Sequence, residues 1–133
     1  MKNLKMSSTV PQRQHGLSHV VAATRYSAGG AGRLFGETAF RHECGLFAVI
    51  LVGFGLIGAG IGNYLVAASL FFMLAAAEAL NTAIEIIVDQ ISPQWSSAAR
   101  DAKDLGSFAV LCLLAANGVY AVYVIVDLLW MEM

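Results

Sequence analysis

The sequence predicts an all-α membrane protein, with three transmembrane helices preceded by an amphipathic N-terminal surface helix. Three observations carry that expectation. The 133 residues are 58% hydrophobic and only 13% charged, with a mean hydropathy of +0.68, whereas a soluble domain carries roughly 25% charged residues. Three apolar runs are each long enough for the ~20 residues that a helix needs to cross a bilayer. All eight basic residues, Lys2, Lys5, Arg13, Arg25, Arg33, Arg41, Arg100 and Lys103, lie either before the first run or between the second and third. Two crossings separate those regions, so they share a side. The excess of Lys and Arg on cytoplasmic loops then puts the N-terminus and the 89–104 loop inside, and the 61–64 turn, Asp127 and Glu132 outside.

At this length one domain is expected. Residues 1–16, with Lys2, Lys5, Pro11 and several polar side chains, show no periodicity and read as a disordered cytoplasmic tail; residues 17–133 form the membrane domain. Residues 17–40 mix Val20, Val21, Tyr26, Leu34, Phe35 and Phe40 with Arg25, Arg33 and Glu37, as suits a helix lying in the interface plane. Gly29, Gly30 and Gly32 predict a break or kink within it. The first 40 residues contain no continuous apolar stretch of the kind a secretory signal peptide needs.

The first span is expected over residues 44–62, where Gly45, Gly53, Gly55, Gly58, Gly60 and Gly62 suit close helix packing. Gly62-Asn63 marks a turn. The second span covers residues 64–88 and closes at Ser92-Pro93. Trp95 suits the headgroup level, and the third span covers residues 105–130, with Trp130 as an outer anchor. Cys44 and Cys112 match no metal-ligand spacing and are expected as buried structural thiols.

The second span carries the chemistry. Glu78, Asn81, Glu85 and Asp89 recur at steps of three, seven and eleven, which return to one azimuth of a helix. Inserting a single acid costs about 2.5 to 3.5 kcal/mol, and such residues face bundle interiors and mark function. A polar seam that merely fixes helix register is the competing reading, but interhelical hydrogen bonds in membranes average only about 0.6 kcal/mol. Magnesium in nucleotide enzymes is held by one or two carboxylates plus phosphates and water. Glu85 can supply one, and Glu37 or Glu43 sits just before the first span at the same interface. Glu78, deeper and desolvated, suits a general base for a hydroxyl arriving from within the bilayer. Lys103 and Arg41 can neutralise phosphate charge. The sequence has no G-x-x-x-x-G-K-[ST], which excludes a Walker-type nucleotide site.

Three blocks then carry a resemblance. Glu37-Thr38-Ala39-Phe40-Arg41-His42-Glu43, Glu78-Ala79-Leu80-Asn81-Thr82-Ala83-Ile84-Glu85 with Asp89, and Ala102-Lys103-Asp104-Leu105-Gly106-Ser107 resemble, in order and spacing, the signatures of the prokaryotic diacylglycerol kinase family. Ala23-Thr24-Arg25-Tyr26-Ser27 adds a weaker match, and the likeness extends over roughly residues 19–130. It implies an ATP-dependent lipid kinase of the inner membrane that phosphorylates the primary hydroxyl of diacylglycerol to give phosphatidic acid. It also implies Mg²⁺ supplied as MgATP, a homotrimer with active sites shared between subunits, and no nucleic-acid partner. By resemblance, Glu78 is the general base and Asn81 a site-organising amide, with Glu37 and Glu85 as metal ligands. Lys103 and Asp104 contact the nucleotide, and Glu43, Arg41 and Asp89 lie near it.

Between Tyr26 and Glu37 the chain is one residue shorter than the usual family spacing and richer in glycine, so no family contacts are carried over there. The Ser92-Pro93-Gln94-Trp95 loop lacks close similarity, and nucleobase contacts stay unassigned. A sister branch phosphorylates undecaprenol. From another class, a proton- or cation-translocating bundle would explain Glu78, but it gives Glu37, Lys103 and Asp104 no role.

Overall fold

The computed structural model describes residues 17–131, which form four helices in the order α1 (Leu17–Phe35), α2 (Thr38–Leu56), α3 (Ile61–Ile91) and α4 (Ser97–Met131). The predicted N-terminal tail and Glu132 lie outside the described residues. The all-α fold, with three helices long and apolar enough to span a membrane and one preceding helix, is as the sequence predicts.

The helix boundaries differ in ways that local backbone chemistry explains. α1 runs unbroken through Gly29, Gly30 and Gly32. Glycine lowers helix preference by about 1 kcal/mol per residue without forbidding the conformation. The break falls instead at Gly36 and Glu37, where Gly36 N–H donates to Arg33 O and Glu37 N–H to Leu34 O, both at 3.0 Å. These tight i to i−3 bonds end α1, and extended Glu37 (φ −76°, ψ 133°) starts α2. The N-terminal helix therefore stops at residue 35 rather than 40. Buried Leu34 and Phe40, and an edge-on contact of Phe35 with Phe40 (5.3 Å), fix the corner.

α2 begins six residues before the expected first span and ends six residues before its expected end. Ala59 N–H donates to Phe54 O at 2.9 Å and Gly58 N–H to Gly55 O at 3.4 Å, with Gly58 at φ +69°. This is a Schellman closure, which needs a left-handed residue just past the helix and so favours glycine. The turn thus occupies residues 57–60, not 61–64, and Asn63 is helical within α3. α3 ends at Ile91, as Ser92-Pro93 predicts, with Ser92 N–H donating to Val88 O at 2.8 Å. α4 starts eight residues earlier than predicted because the Ser96 hydroxyl accepts from Ala99 N–H at 3.1 Å, capping a free donor of the first turn. Residues 100–104 are consequently helical rather than loop.

α3 and α4 pack antiparallel along their length. Asn117 Nδ2 donates across to Leu70 O (3.2 Å) as well as to Leu113 O of its own helix (2.8 Å), and Tyr120 OH donates to Asn63 Oδ1 (3.1 Å). Bonds of this kind keep polar groups satisfied where no water reaches. α2 joins the pair through aromatic rings. Phe47 stacks on Phe71 at 4.2 Å at the middle of α2, and Phe54, buried with Ala67 and Val124, meets Tyr64 edge-on at 5.8 Å near its end.

The glycines of the first span do not make the close contacts expected of them within the chain. A Cβ at Gly45, Gly53, Gly58, Gly60 or Gly62 would meet nothing within 4 Å, and one at Gly55 would meet only Tyr64 Oη, at 3.3 Å. Ring stacking, not backbone approach, sets the α2–α3 spacing. Cys112 is exposed and Cys44 half-buried, so neither is the buried thiol predicted. The antiparallel order puts the start of α2, the end of α3 and the start of α4 at one end of the bundle, where the predicted site residues lie.

Candidate active site

Four of those residues line one pocket. Glu37 and Ala39 come from the start of α2, Glu78, Asn81, Thr82 and Glu85 from one face of α3, and Ser107 and Val110 from α4, around a cavity of about 250 Å³. The three-four spacing of the α3 residues puts them on a single stripe, and packing turns that stripe inward: Glu78 is 7% and Thr82 8% exposed. Asn81 Nδ2 donates to Glu85 Oε1 at 3.1 Å, which orients the carboxylate one turn further along. Glu43 sits against Glu78. Two side-chain oxygens in this region, Glu43 Oε2 and Asn81 Oδ1, are buried without a hydrogen-bond partner among the described residues. Buried polar atoms are normally satisfied; Asn81 Oδ1 instead packs against Gly106 of α4.

A second cleft, of about 330 Å³, opens one helical turn from Glu85, where α3 passes into α4. Asp89, Ser92, Gln94, Trp95, Ser96, Arg100, Lys103 and Asp104 line it. Lys103 is ion-paired with Asp89 across the two helices, and Arg100 with Asp104 along α4 at 3.3 Å. At 1.5 Å per residue, Asp89 lies about 6 Å along the axis from Glu85. The α3 stripe therefore links the two cavities.

The structure thus gathers Glu37, Glu78, Asn81 and Glu85, and separately Asp89, Lys103 and Asp104. Glu43 lies with Glu78 rather than beside Lys103. Arg41 touches neither cavity; it is exposed, and its guanidinium donates to Thr38 Oγ1 at 3.2 Å.

Two further residues matter that residue-by-residue reading does not single out. Gly106 is buried against Asn81: a Cβ there would collide with Asn81 Oδ1 and lie 3.3 Å from Asn81 Cγ. Its signal was its place in the Ala102–Ser107 block. Arg33 holds Glu37, Nη1 to Oε1, at 2.7 Å. Its signal was the four-residue spacing from Arg33 to Glu37.

The donor set fits a magnesium ion held jointly with phosphates. Glu37 and Glu85 open on the same pocket. Among the described residues no cluster of three or more Asp, Glu, His or Cys forms a complete protein cage, and magnesium bound with a nucleotide needs only one or two carboxylates. Three acids on one pocket and a lysine–aspartate pair in the adjacent cleft together suit transfer of a charged group.

The profile of the family described as "Prokaryotic diacylglycerol kinase" matches residues 25–125. The chain is 53% identical over 115 residues to a protein named diacylglycerol kinase from Sinorhizobium sp, covering 86% of this chain and 84% of that one. It is 34% identical over 105 residues to a diacylglycerol kinase of Haemophilus influenzae (78% and 89% covered), and 33% identical over 105 residues to one of Pseudomonas aeruginosa (78% and 85%). With a family profile spanning most of its length and relatives up to 53% identical over most of both chains, the chain belongs to the prokaryotic diacylglycerol kinase family.

Proposed function

We propose that the chain is an ATP-dependent diacylglycerol kinase that makes phosphatidic acid at the membrane surface. Family membership supports the activity. The single structural observation behind the residue roles is the pocket that unites Glu37, Glu78, Asn81 and Glu85 beside the Lys103 cleft.

In the proposed reaction the lipid hydroxyl reaches the pocket from the bilayer, and the Glu78 carboxylate accepts its proton as the oxygen attacks the γ-phosphorus. The bond to the β,γ-bridging oxygen breaks, and ADP leaves with that electron pair. Glu37 and Glu85 would hold the magnesium ion, which when bound offsets charge on the phosphate oxygens. Asn81 orients Glu85 through its amide. Lys103, positioned by Asp89, contacts the nucleotide phosphates, with Asp104 beside it. The half-buried Glu43 lies against Glu78, and the exposed Arg41, hydrogen-bonded to Thr38, is placed to meet a nucleotide only at a neighbouring copy.

Shared sites in a homotrimer fit this arrangement, because the pocket has walls from only three helices and most of each apolar span is left uncovered in one chain. The distribution of basic residues supports an N-terminus and site on the cytoplasmic side of a bacterial inner membrane. Incubating purified protein with γ-labelled ATP, Mg²⁺ and either diacylglycerol or undecaprenol tests the reading. Label in phosphatidic acid supports it, label in undecaprenyl phosphate alone would assign the sister activity, and nucleotide-independent proton flux through liposomes would favour translocation.

A further inference from the structure

We propose that Arg33 is the resident counter-ion of the acidic pocket, occupying the Glu37 carboxylate until the divalent ion displaces it. The inference rests on the reading of Glu37 as a metal ligand.

Four observations converge on it. The pocket has three carboxylates, on Glu37, Glu78 and Glu85, and no lysine or arginine among its lining residues. Among the described residues Arg33 is the one basic side chain paired with a pocket carboxylate, since Lys103 is held by Asp89, Arg100 by Asp104, and Arg41 donates to Thr38. The pair bridges the break between α1 and α2, so it is not an ordinary pair along one helix. The guanidinium folds back over Gly36, where a Cβ would stand 3.6 Å from Nη1 and 3.0 Å from Arg33 O.

The backbone of this corner is fixed. Leu34 is buried, Phe35 meets Phe40, and two backbone hydrogen bonds close the turn. What can move is the arginine arm. Its side chain is 56% exposed and that of Glu37 37% exposed, and exposed pairs hold weakly. A doubly charged ion arriving with phosphate oxygens outcompetes one guanidinium for the carboxylate, and the arm swings to solvent. Arg33 therefore keeps Glu37 aimed at the pocket between turnovers and sets a threshold for metal entry.

The test measures Mn²⁺ binding to the full chain in detergent, by the electron paramagnetic resonance of free Mn²⁺, with a β,γ-methylene ATP analogue present. Arg33→Gln should tighten Mn²⁺ binding by about fivefold, the most that an exposed pair withholds. Arg33→Lys should restore the wild-type value, and Arg33→Gln should gain nothing in a Glu37→Gln background. Unchanged or weaker binding in Arg33→Gln, with Glu37→Gln weakening it, would overturn the counter-ion role alone. If Glu37→Gln leaves Mn²⁺ affinity unaltered, the ligand assignment beneath it fails as well.

Discussion

Gly106 of α4 lies flush against the Asn81 side chain of α3, with no room between them for a single added carbon. Asn81 in turn donates to Glu85. A backbone contact between two membrane helices therefore fixes the direction of a carboxylate at the site.

Gly106→Ala should displace the Asn81 amide. Overpacking a tight contact costs about 1 to 3 kcal/mol, and we expect phosphoryl transfer to fall roughly tenfold or more while the helical content by circular dichroism is retained. An active Gly106→Ala enzyme would mean that Asn81 does not need its present position.

Glu85→Gln removes one of the three carboxylates that open on the pocket with Asn81. Activity should then require a higher Mg²⁺ concentration, by about tenfold for a loss near 1.4 kcal/mol. A Mg²⁺ titration superimposable on wild type would count against metal ligation.

Lys103→Ala leaves Asp89 without its partner and removes one of two basic side chains, Arg100 and Lys103, from the cleft proposed for the nucleotide. The KM for ATP should rise about tenfold, since hydrogen bonds to charged groups contribute about 1.5 to 3 kcal/mol. Asp89→Asn, which keeps the lysine, should raise it less. Equal effects of the two would place the importance in the ion pair and not in the lysine.

Asn117→Leu tests the α3–α4 seam away from the chemistry. Its hydrogen bond to Leu70 O should contribute only about 0.6 kcal/mol. The denaturation midpoint in mild detergent should fall slightly, with the KM for ATP unchanged; a large change in KM would tie the distant seam to the site.

Much of the arrangement was legible because it depends on helical periodicity. Glu78, Asn81 and Glu85 had to share a face, and the cost of acids in an apolar span demanded that this face turn inward. Ser92-Pro93 announced its own helix end. The turn before α3 was misread because Gly58, Gly60 and Gly62 all carry turn chemistry, and only the Schellman hydrogen bonds choose Gly58. The start of α4 was missed because Ser96 reads as loop until its hydroxyl is seen capping Ala99. The tight contact was expected in the glycine-rich α2, yet aromatic stacking holds that helix off, and one glycine, Gly106, makes the approach instead. Spacing alone does not distinguish a glycine that admits a neighbour from one facing open space.

The most direct measurement follows label from γ-labelled ATP into diacylglycerol in vesicles containing either the wild-type chain or Glu78→Gln, with assembly and nucleotide binding monitored in parallel. Labelled phosphatidic acid is expected from wild type and at least a hundredfold less from the variant, the lower range of what a general base contributes, with assembly and binding intact. Undiminished labelling by Glu78→Gln would contradict the account.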